Sequence, residues 1–171
     1  MNIIVCVKQV PDNAVVPKLD PSTGKVMTQG VETLVSPVHL NAIEAGLTLV
    51  SEHGGEVSVI TAGDDSCKTA LRIGLSMGAE KAYLVCDSAL EDSDTWATSY
   101  TLAKAIASIG SFDVILCGKQ AIDDDAGQVA AGIAEQLGIS QVTYVNEIRE
   151  VTAGSITVKR VCPAGEEVVT A

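Results

Sequence analysis

Short apolar runs punctuated by glycine recur along the chain, and the gaps between them are long enough for a helix. Residues 3–7 (Ile-Ile-Val-Cys-Val) are a continuous run too short for a helix and predict a first buried strand. Leu40, Ile43, Leu47 and Val50 recur at spacings of three and four, one face of a helix that begins near Pro37 and stops at His53-Gly54-Gly55. Residues 57–62 predict a second strand ended by Gly63. Asp64, Asp65 and Ser66 then offer caps for a helix carried by Leu71, Leu75 and Met77 and closed by Gly78. Residues 82–85 predict a third strand, Asp94-Thr95 cap a helix running to about Ile109, and residues 114–117 predict a fourth strand. After residues 118–125 a further helix passes through Ile133 and Leu137 to Gly138, and residues 142–145 predict a fifth strand.

This alternation predicts an α/β fold with a doubly wound, mainly parallel sheet and right-handed crossovers. Ligands in such sheets lie beyond the carboxyl ends of strands, at the topological switch point, so the loops after strands one, two and four are the places to look. Residues 20–25 (Asp-Pro-Ser-Thr-Gly-Lys) carry turn chemistry, the tip of a hairpin or an exposed loop. The end differs in character. Residues 148–152 and 155–159 alternate apolar and polar about Ala153-Gly154, a C-terminal antiparallel hairpin, and residues 166–170 suit another strand. The chain stops there without a cap or polar tail, so a truncated or incompletely represented protein is expected.

Composition narrows the classes. A length of 171 residues suits one domain, and residues 1–171 read as a single α/β domain. Only 3% of residues are aromatic, so the core is built from Val, Ile, Leu and Ala, as buried parallel strands require. A formal charge of −11 argues against nucleic acid and against anionic membrane surfaces. It leaves room for one nucleotide, because a helix N-terminus supplies local positive potential. The five cysteines are odd in number, widely spaced and without a C-x-x-C pair, and read as small buried hydrophobes in a reducing compartment. Of these, Cys67 alone stands beside a predicted helix start. No secretion signal and no apolar run of membrane-spanning length is visible, which reads as soluble and cytoplasmic.

The richest candidate chemistry is residues 118–128, Gly-Lys-Gln-Ala-Ile-Asp-Asp-Asp-Ala-Gly-Gln, which follow a strand and open a helix. Backbone N–H groups there suit a phosphate, Gly127 permits close approach, and Gln128 suits phosphate or ribose. The segment is neither a Walker A loop nor G-x-G-x-x-G. Its three aspartates raise a divalent metal as an alternative, but neighbours in one run rarely converge and Asp is a common helix cap. A merely capped helix is the plainer alternative. Residues 8–12 (Lys-Gln-Val-Pro-Asp) are a second candidate, with Lys8 near a phosphate, against a plain exposed turn. Gly63 would complete a backbone-lined pocket. Neither His39 nor His53 stands beside a nucleophile motif, and His39 reads as a surface or packing residue. No catalytic residue and no metal site are assigned.

Taken together, these segments resemble the electron transfer flavoprotein beta subunit and the related FixA-type proteins. The resemblance is carried by residues 4–12, by Asn41-Ala42-Ile43-Glu44-Ala45, by Leu71-Arg72 with residues 77–82, by residues 116–125 with Gly127-Gln128-Val129 and Ala134-Glu135, and by Gln141-Val142-Thr143. It implies an adenine-nucleotide alpha-hydrolase-like fold without a hydrolase role, in a family that continues beyond Ala171. It implies pairing with an alpha subunit, with FAD in the heterodimer. Electrons then pass between that flavin and dehydrogenases, of which an acyl-CoA dehydrogenase is an example, or a quinone reductase. This subunit would hold AMP or, in bifurcating members, a second FAD that takes hydride from NADH. By position, the nucleotide would contact Cys6, Ser36, Ala62, Ala121, Ile122, Asp123, Asp125, Ala126, Gly127, Gln128, Val129, Ala130 and Gly132.

Ser36-Pro37-Val38-His39 stands where the family usually has Asn-Pro-aromatic, and Ala126 where Thr or Cys is common. Asp124 resembles AMP-binding members, whereas Gly127-Gln128-Val129 leans toward bifurcating ones, so both ligands stay open. Two other classes compete with this resemblance. A stand-alone nucleotide-binding module of the universal-stress type would need a glycine-rich phosphate loop. An adenine-nucleotide hydrolase or ligase would need an S-G-G-type loop where this chain has residues 8–12.

Overall fold

The computed structural model describes residues 1–12, 18–22, 24, 26–27 and 30–171. Strands β1 (Asn2–Cys6), β6 (Glu56–Ala62), β7 (Lys81–Val85) and β8 (Val114–Cys117) form one parallel sheet in the order β7-β6-β1-β8. The chain moves outward from β1 through β6 to β7, then returns to place β8 on the other side of β1. That reversal is the switch point of a doubly wound sheet.

Alternation along the strands feeds two cores. Ile3, Val5, Val57 and Val59 pack with Ile43 and Leu49 of α1 (Pro37–His53) and with Ala70 and Leu71 of α2 (Lys68–Met77). Ile4, Cys6 and Ile60 face the other way, onto Leu102, Ala103 and Ile106 of α3 (Thr95–Ile109) and Ile133 of α4 (Val129–Leu137). Burial on both faces explains why these strands are continuous apolar runs.

Most helix ends fall where caps and glycines put them, but Asp64 caps a single 3-10 turn (Asp65–Cys67) and α2 starts after Cys67 with no side-chain cap. Pro37 opens α1 and Gly54 closes it; Asp94 accepts from the Ala97 N–H at 2.7 Å; Gly138 ends α4 in the left-handed region at φ 66°. Their buried faces are less obvious. In α1 the buried residues are His39, Ala42, Ile43, Gly46 and Leu49, so Leu40, Leu47 and Val50 form the flank and not the centre of the stripe. In α2 the buried set is Ala70, Leu71 and Gly74, while Leu75 is 41% exposed. Small residues face the sheet because the approach is close: a Cβ on Gly74 would lie 2.8 Å from Val59 Cγ1.

Residues 8–12 are not a plain exposed turn. Strand β2 (Gln9–Pro11) pairs antiparallel with β5 (Thr33–Val35), burying Val10 and Val35. Gln9 reaches the start of α2, its Oε1 accepting from the Ala70 N–H at 3.3 Å. Between them β3 (Lys18–Leu19) pairs with β4 (Val26–Met27), and the Gly24 N–H donates to the Asp20 carbonyl at 2.8 Å. The expected turn is thus a hairpin tip, with Thr23 and Lys25 outside the described residues.

The expected fifth parallel strand is absent from this sheet. Gln141-Val142-Thr143-Tyr144-Val145 has too few apolar positions for burial on both faces, and Tyr144 adopts φ 59°, which no strand uses. The chain instead enters an antiparallel meander, β9 (Val145–Thr152), β10 (Ser155–Cys162) and β11 (Gly165–Thr170). Ala153-Gly154 makes the first turn, as the hairpin pattern predicted. Among the described residues, no helix is long and apolar enough to cross a membrane.

Candidate functional site

A cleft of about 570 Å³ opens at the carboxyl ends of β1, β6 and β8. Its place follows from topology: the strand order reverses beside β1, so the loops after β1 and β8 diverge and leave a crevice. Cys6, Ala62, Gly63, Ala121, Ala126, Gly127, Gln128, Val129 and Ala130 line it. Gly127 sits at φ 61°, a conformation suited to glycine.

The other residues expected by position are not on the cleft wall. Ile122 and Asp123 lie in a turn closed by the Asp125 N–H on the Ala121 carbonyl at 2.9 Å, whose third residue, Asp124, does reach the cleft. Asp125, at φ 49°, accepts from Gln120 Nε2 at 2.9 Å. Gly132 packs on α3, where a Cβ would lie 2.3 Å from Ser99 Oγ. Ser36 is fully buried at the N-cap of α1, its Oγ without a hydrogen-bond partner among the described residues.

The aspartates are not helix caps. Gln128 holds the N-cap of α4 with no side-chain bond, and the acidic run lies ahead of it. Lys8 takes that run instead, donating to Asp123 Oδ1 and Asp124 Oδ2 at 3.0 Å each. Lys8 is therefore not simply solvated, and it ties the loop after β1 to the loop after β8. Burial opposes its charge, but the two carboxylates outweigh that and hold its pKa above the usual lysine value. Burial also opposes the Asp124 charge; the Ala126 N–H and Lys8 overcome it and hold the carboxyl below its usual value. Among the described residues, no three His, Cys, Asp or Glu side chains gather to hold a metal ion.

What the cleft offers is suited to a nucleotide. Val129 and Ala130 stand in the first turn of α4, where backbone N–H groups lack intrahelical acceptors and meet an anion well. Lys8 and Lys119 add positive charge against Asp124, and Val7, Ala62, Leu90 and Leu102 give an apolar wall. Lys119 is steadied by the Tyr144 ring, its Nζ 4.9 Å from the centroid. The chemistry of this donor set fits a phosphate at α4 and a flat apolar moiety beside it.

Two thiols, Cys6 and Cys67, are held from ionising. Cys6 and Cys117 are register partners on β1 and β8, and their mutual contact and burial push the Cys6 thiol up. Burial also raises Cys67, despite its place at the start of α2. Cys86 is exposed, contrary to its apolar setting in sequence, because β7 ends one residue earlier at Val85.

Sequence reasoning missed one wall. Asp92, Ser93, Thr95, Thr98 and Thr101, from the loop after β7 and from α3, also line the cleft. Asp94-Thr95 was legible only as a cap. The available signal was topological: in a parallel sheet every βα loop emerges at the same end.

Comparisons with known proteins agree with this geometry. The electron transfer flavoprotein domain matches residues 23–171. Protein FixA of Azorhizobium caulinodans is 46% identical over 99% of this chain and 62% of its own length. The electron transfer flavoprotein subunit beta of Clostridium acetobutylicum is 43% identical over 99% of this chain and 64% of its own. The caffeyl-CoA reductase-Etf complex subunit CarD of Acetobacterium woodii is 46% identical over 87% of this chain and 57% of its own. The chain thus spans less than two thirds of the length of these relatives. It belongs to the electron transfer flavoprotein domain family.

Proposed function

We propose that this chain is the nucleotide-binding part of an electron transfer flavoprotein beta subunit, an electron carrier and not a stand-alone enzyme. Paired with an alpha subunit, it would serve a heterodimer whose FAD moves electrons between a flavin dehydrogenase and a downstream acceptor. The observation that carries this reading is the cleft at the β1/β8 switch point, with the first turn of α4 on one side and an apolar wall on the other. The occupant proposed for it is AMP or a second FAD, both of which present an adenosine and a phosphate. A dehydrogenase acting on CoA esters, such as an acyl-CoA dehydrogenase, is the proposed partner. It is supported by the similarity to CarD, whose name places it in a complex with a caffeyl-CoA reductase.

Bound flavin would supply one- and two-electron redox chemistry. The residues of this chain hold and orient: Val129 and Ala130 present N–H groups to phosphate, Gly127 lets the backbone approach, and Lys8 fastens the two loops. The proposed contacts are Cys6, Ser36, Ala62, Gly63 and the run from Ala121 to Gly132, with Ser36, Ile122, Asp123, Asp125 and Gly132 acting from behind the wall.

The test is to purify the heterodimer, denature it and quantify AMP and FAD. One FAD and one AMP per heterodimer is the outcome for a carrier with a structural nucleotide. Two FAD and no AMP would make it a bifurcating protein with NADH as donor. Neither nucleotide would overturn the proposal.

A further inference from the structure

Cys6 and Cys117 are the last residues of the neighbouring strands β1 and β8, and they are register partners. Both belong to the apolar cluster on the α3/α4 side of the sheet, so their side chains leave the strands in the same direction. Neighbouring strands run about 4.8 Å apart, and a disulfide spans about 4.4–6.8 Å between Cα atoms. The register therefore sets the pair at a separation that a disulfide can bridge. Both thiols are free, and they touch: the hydrogen bond to Cys117 is the main cause that pushes the Cys6 thiol up. Cys6 keeps its proton and directs it at the Cys117 sulfur.

Two small side chains packed together inside a core would need no further role. The cleft sets this pair apart. Cys6 and Cys117 both line it, at the strand ends that form its floor, and are not sealed between sheet and helix. Cys6 is buried and Cys117 only half-buried, so Cys117 is the first of the two that a reagent meets. The cleft is the way in, and a molecule bound there closes it.

We propose that Cys6 and Cys117 are an oxidisable dithiol, which a peroxide closes to a disulfide across the cleft floor while the cleft is empty. The Cys117 thiolate attacks one oxygen of hydrogen peroxide. The O–O bond breaks, hydroxide leaves and takes up the Cys117 proton as water, and Cys117 becomes a sulfenic acid. The Cys6 sulfur then attacks the Cys117 sulfur, the S–O bond breaks, and a second water leaves with the Cys6 proton. Two thiols lose two electrons and the peroxide gains them, giving one disulfide and two waters. The bond ties the ends of β1 and β8 together beneath the loops that carry Lys8 and residues 118–128. Protection of the pair by an occupant rests on the reading of the cleft as a nucleotide site.

Treating the nucleotide-stripped full-length heterodimer with hydrogen peroxide tests it, with remaining thiols blocked by N-ethylmaleimide before proteolysis and mass spectrometry. The expected product is a peptide pair joined through Cys6 and Cys117 that reduction separates. Both cysteines recovered as maleimide adducts would overturn the inference. So would either one joined to another thiol, or Cys117 carried on to sulfinic acid beside a free Cys6. The rate of closure is the second readout. With AMP or FAD, whichever calorimetry shows to bind, at about a hundred times its dissociation constant, only about one cleft in a hundred is empty, and closure should slow about a hundredfold. A nucleotide that binds and leaves the rate unchanged overturns this inference alone. If neither nucleotide binds, the proposed function fails, and the joined peptide pair by itself decides the inference.

Discussion

The parallel sheet and the C-terminal meander are held together by different physics. In β1 every residue after Asn2 is buried, and β6 is buried from Val57 to Thr61. In β9 and β11 most residues are exposed, and Val158 of β10 is the one meander residue in the buried core. The parallel strands are stabilised by apolar area removed from water on both faces. The meander relies on its backbone ladder and on cross-strand charges such as Lys159–Glu166 and Arg160–Glu167. Its anchorage is narrow: Ile148 and Val151 pack against the core beneath α1, and a groove between α1 and β9 marks the seam. A three-stranded sheet so exposed gains little by burial. Rigid strand ends thus position the cleft, while the meander presents surface.

The contrast can be broken most sharply at Ile60, which is 0% exposed at the centre of the sheet. Ile60→Ala is expected to cost about 2–5 kcal/mol in urea unfolding. Val168→Ala in β11, at a site 53% exposed, is expected to cost less than about 0.5 kcal/mol. Equal losses would erase the distinction drawn between the two regions. Gly132→Ala comes next. The added Cβ meets Ser99 Oγ at 2.3 Å and Ser99 Cβ at 2.6 Å, so α3 and α4 must separate. The expected cost is roughly 1–3 kcal/mol, with weaker binding of the proposed nucleotide because the first turn of α4 lines the cleft.

Lys8→Met probes the join between the two loops. Lys8 is 41% exposed and Asp124 49%, so screening limits the loss at neutral pH to about 0.5–1 kcal/mol. The sign with pH follows from the direction of the Asp124 shift. A carboxyl held low in the folded state contributes stability above its unfolded value, about 3.9, and that stability is lost as pH falls through the folded value. Wild type should therefore lose more stability than Lys8→Met below about pH 4, and the two unfolding curves should converge in acid. A gap that stays constant with pH would show that Lys8 acts by packing. The smallest effect belongs to the meander: Glu166→Gln removes a pairing with Lys159, and any loss should vanish when the melt is repeated in high salt.

The run pattern was enough to place β1, β6, β7 and β8: the central β1 and β6 are buried and mostly apolar, and the half-buried edge strands β7 and β8 keep short apolar runs of their own. Asp94, Pro37 and Gly138 set their helix ends by backbone chemistry that acts within a few residues. The meander turn at Ala153-Gly154 was legible for the same local reason. Local pattern could not say which helix face is central, since in α2 Gly74 and not Leu75 meets the sheet, and that depends on how near Val59 comes. Nor could it say that Asp123 and Asp124 answer Lys8, more than a hundred positions away in the chain. The sequence by itself determined the periodicities, most of the caps and the family; the tertiary structure alone decided the cleft wall from α3, the Lys8 clasp and the packing of the His39 ring against Gly118. Those are contacts between distant segments, and their energies exist only once the strand order has brought the segments together.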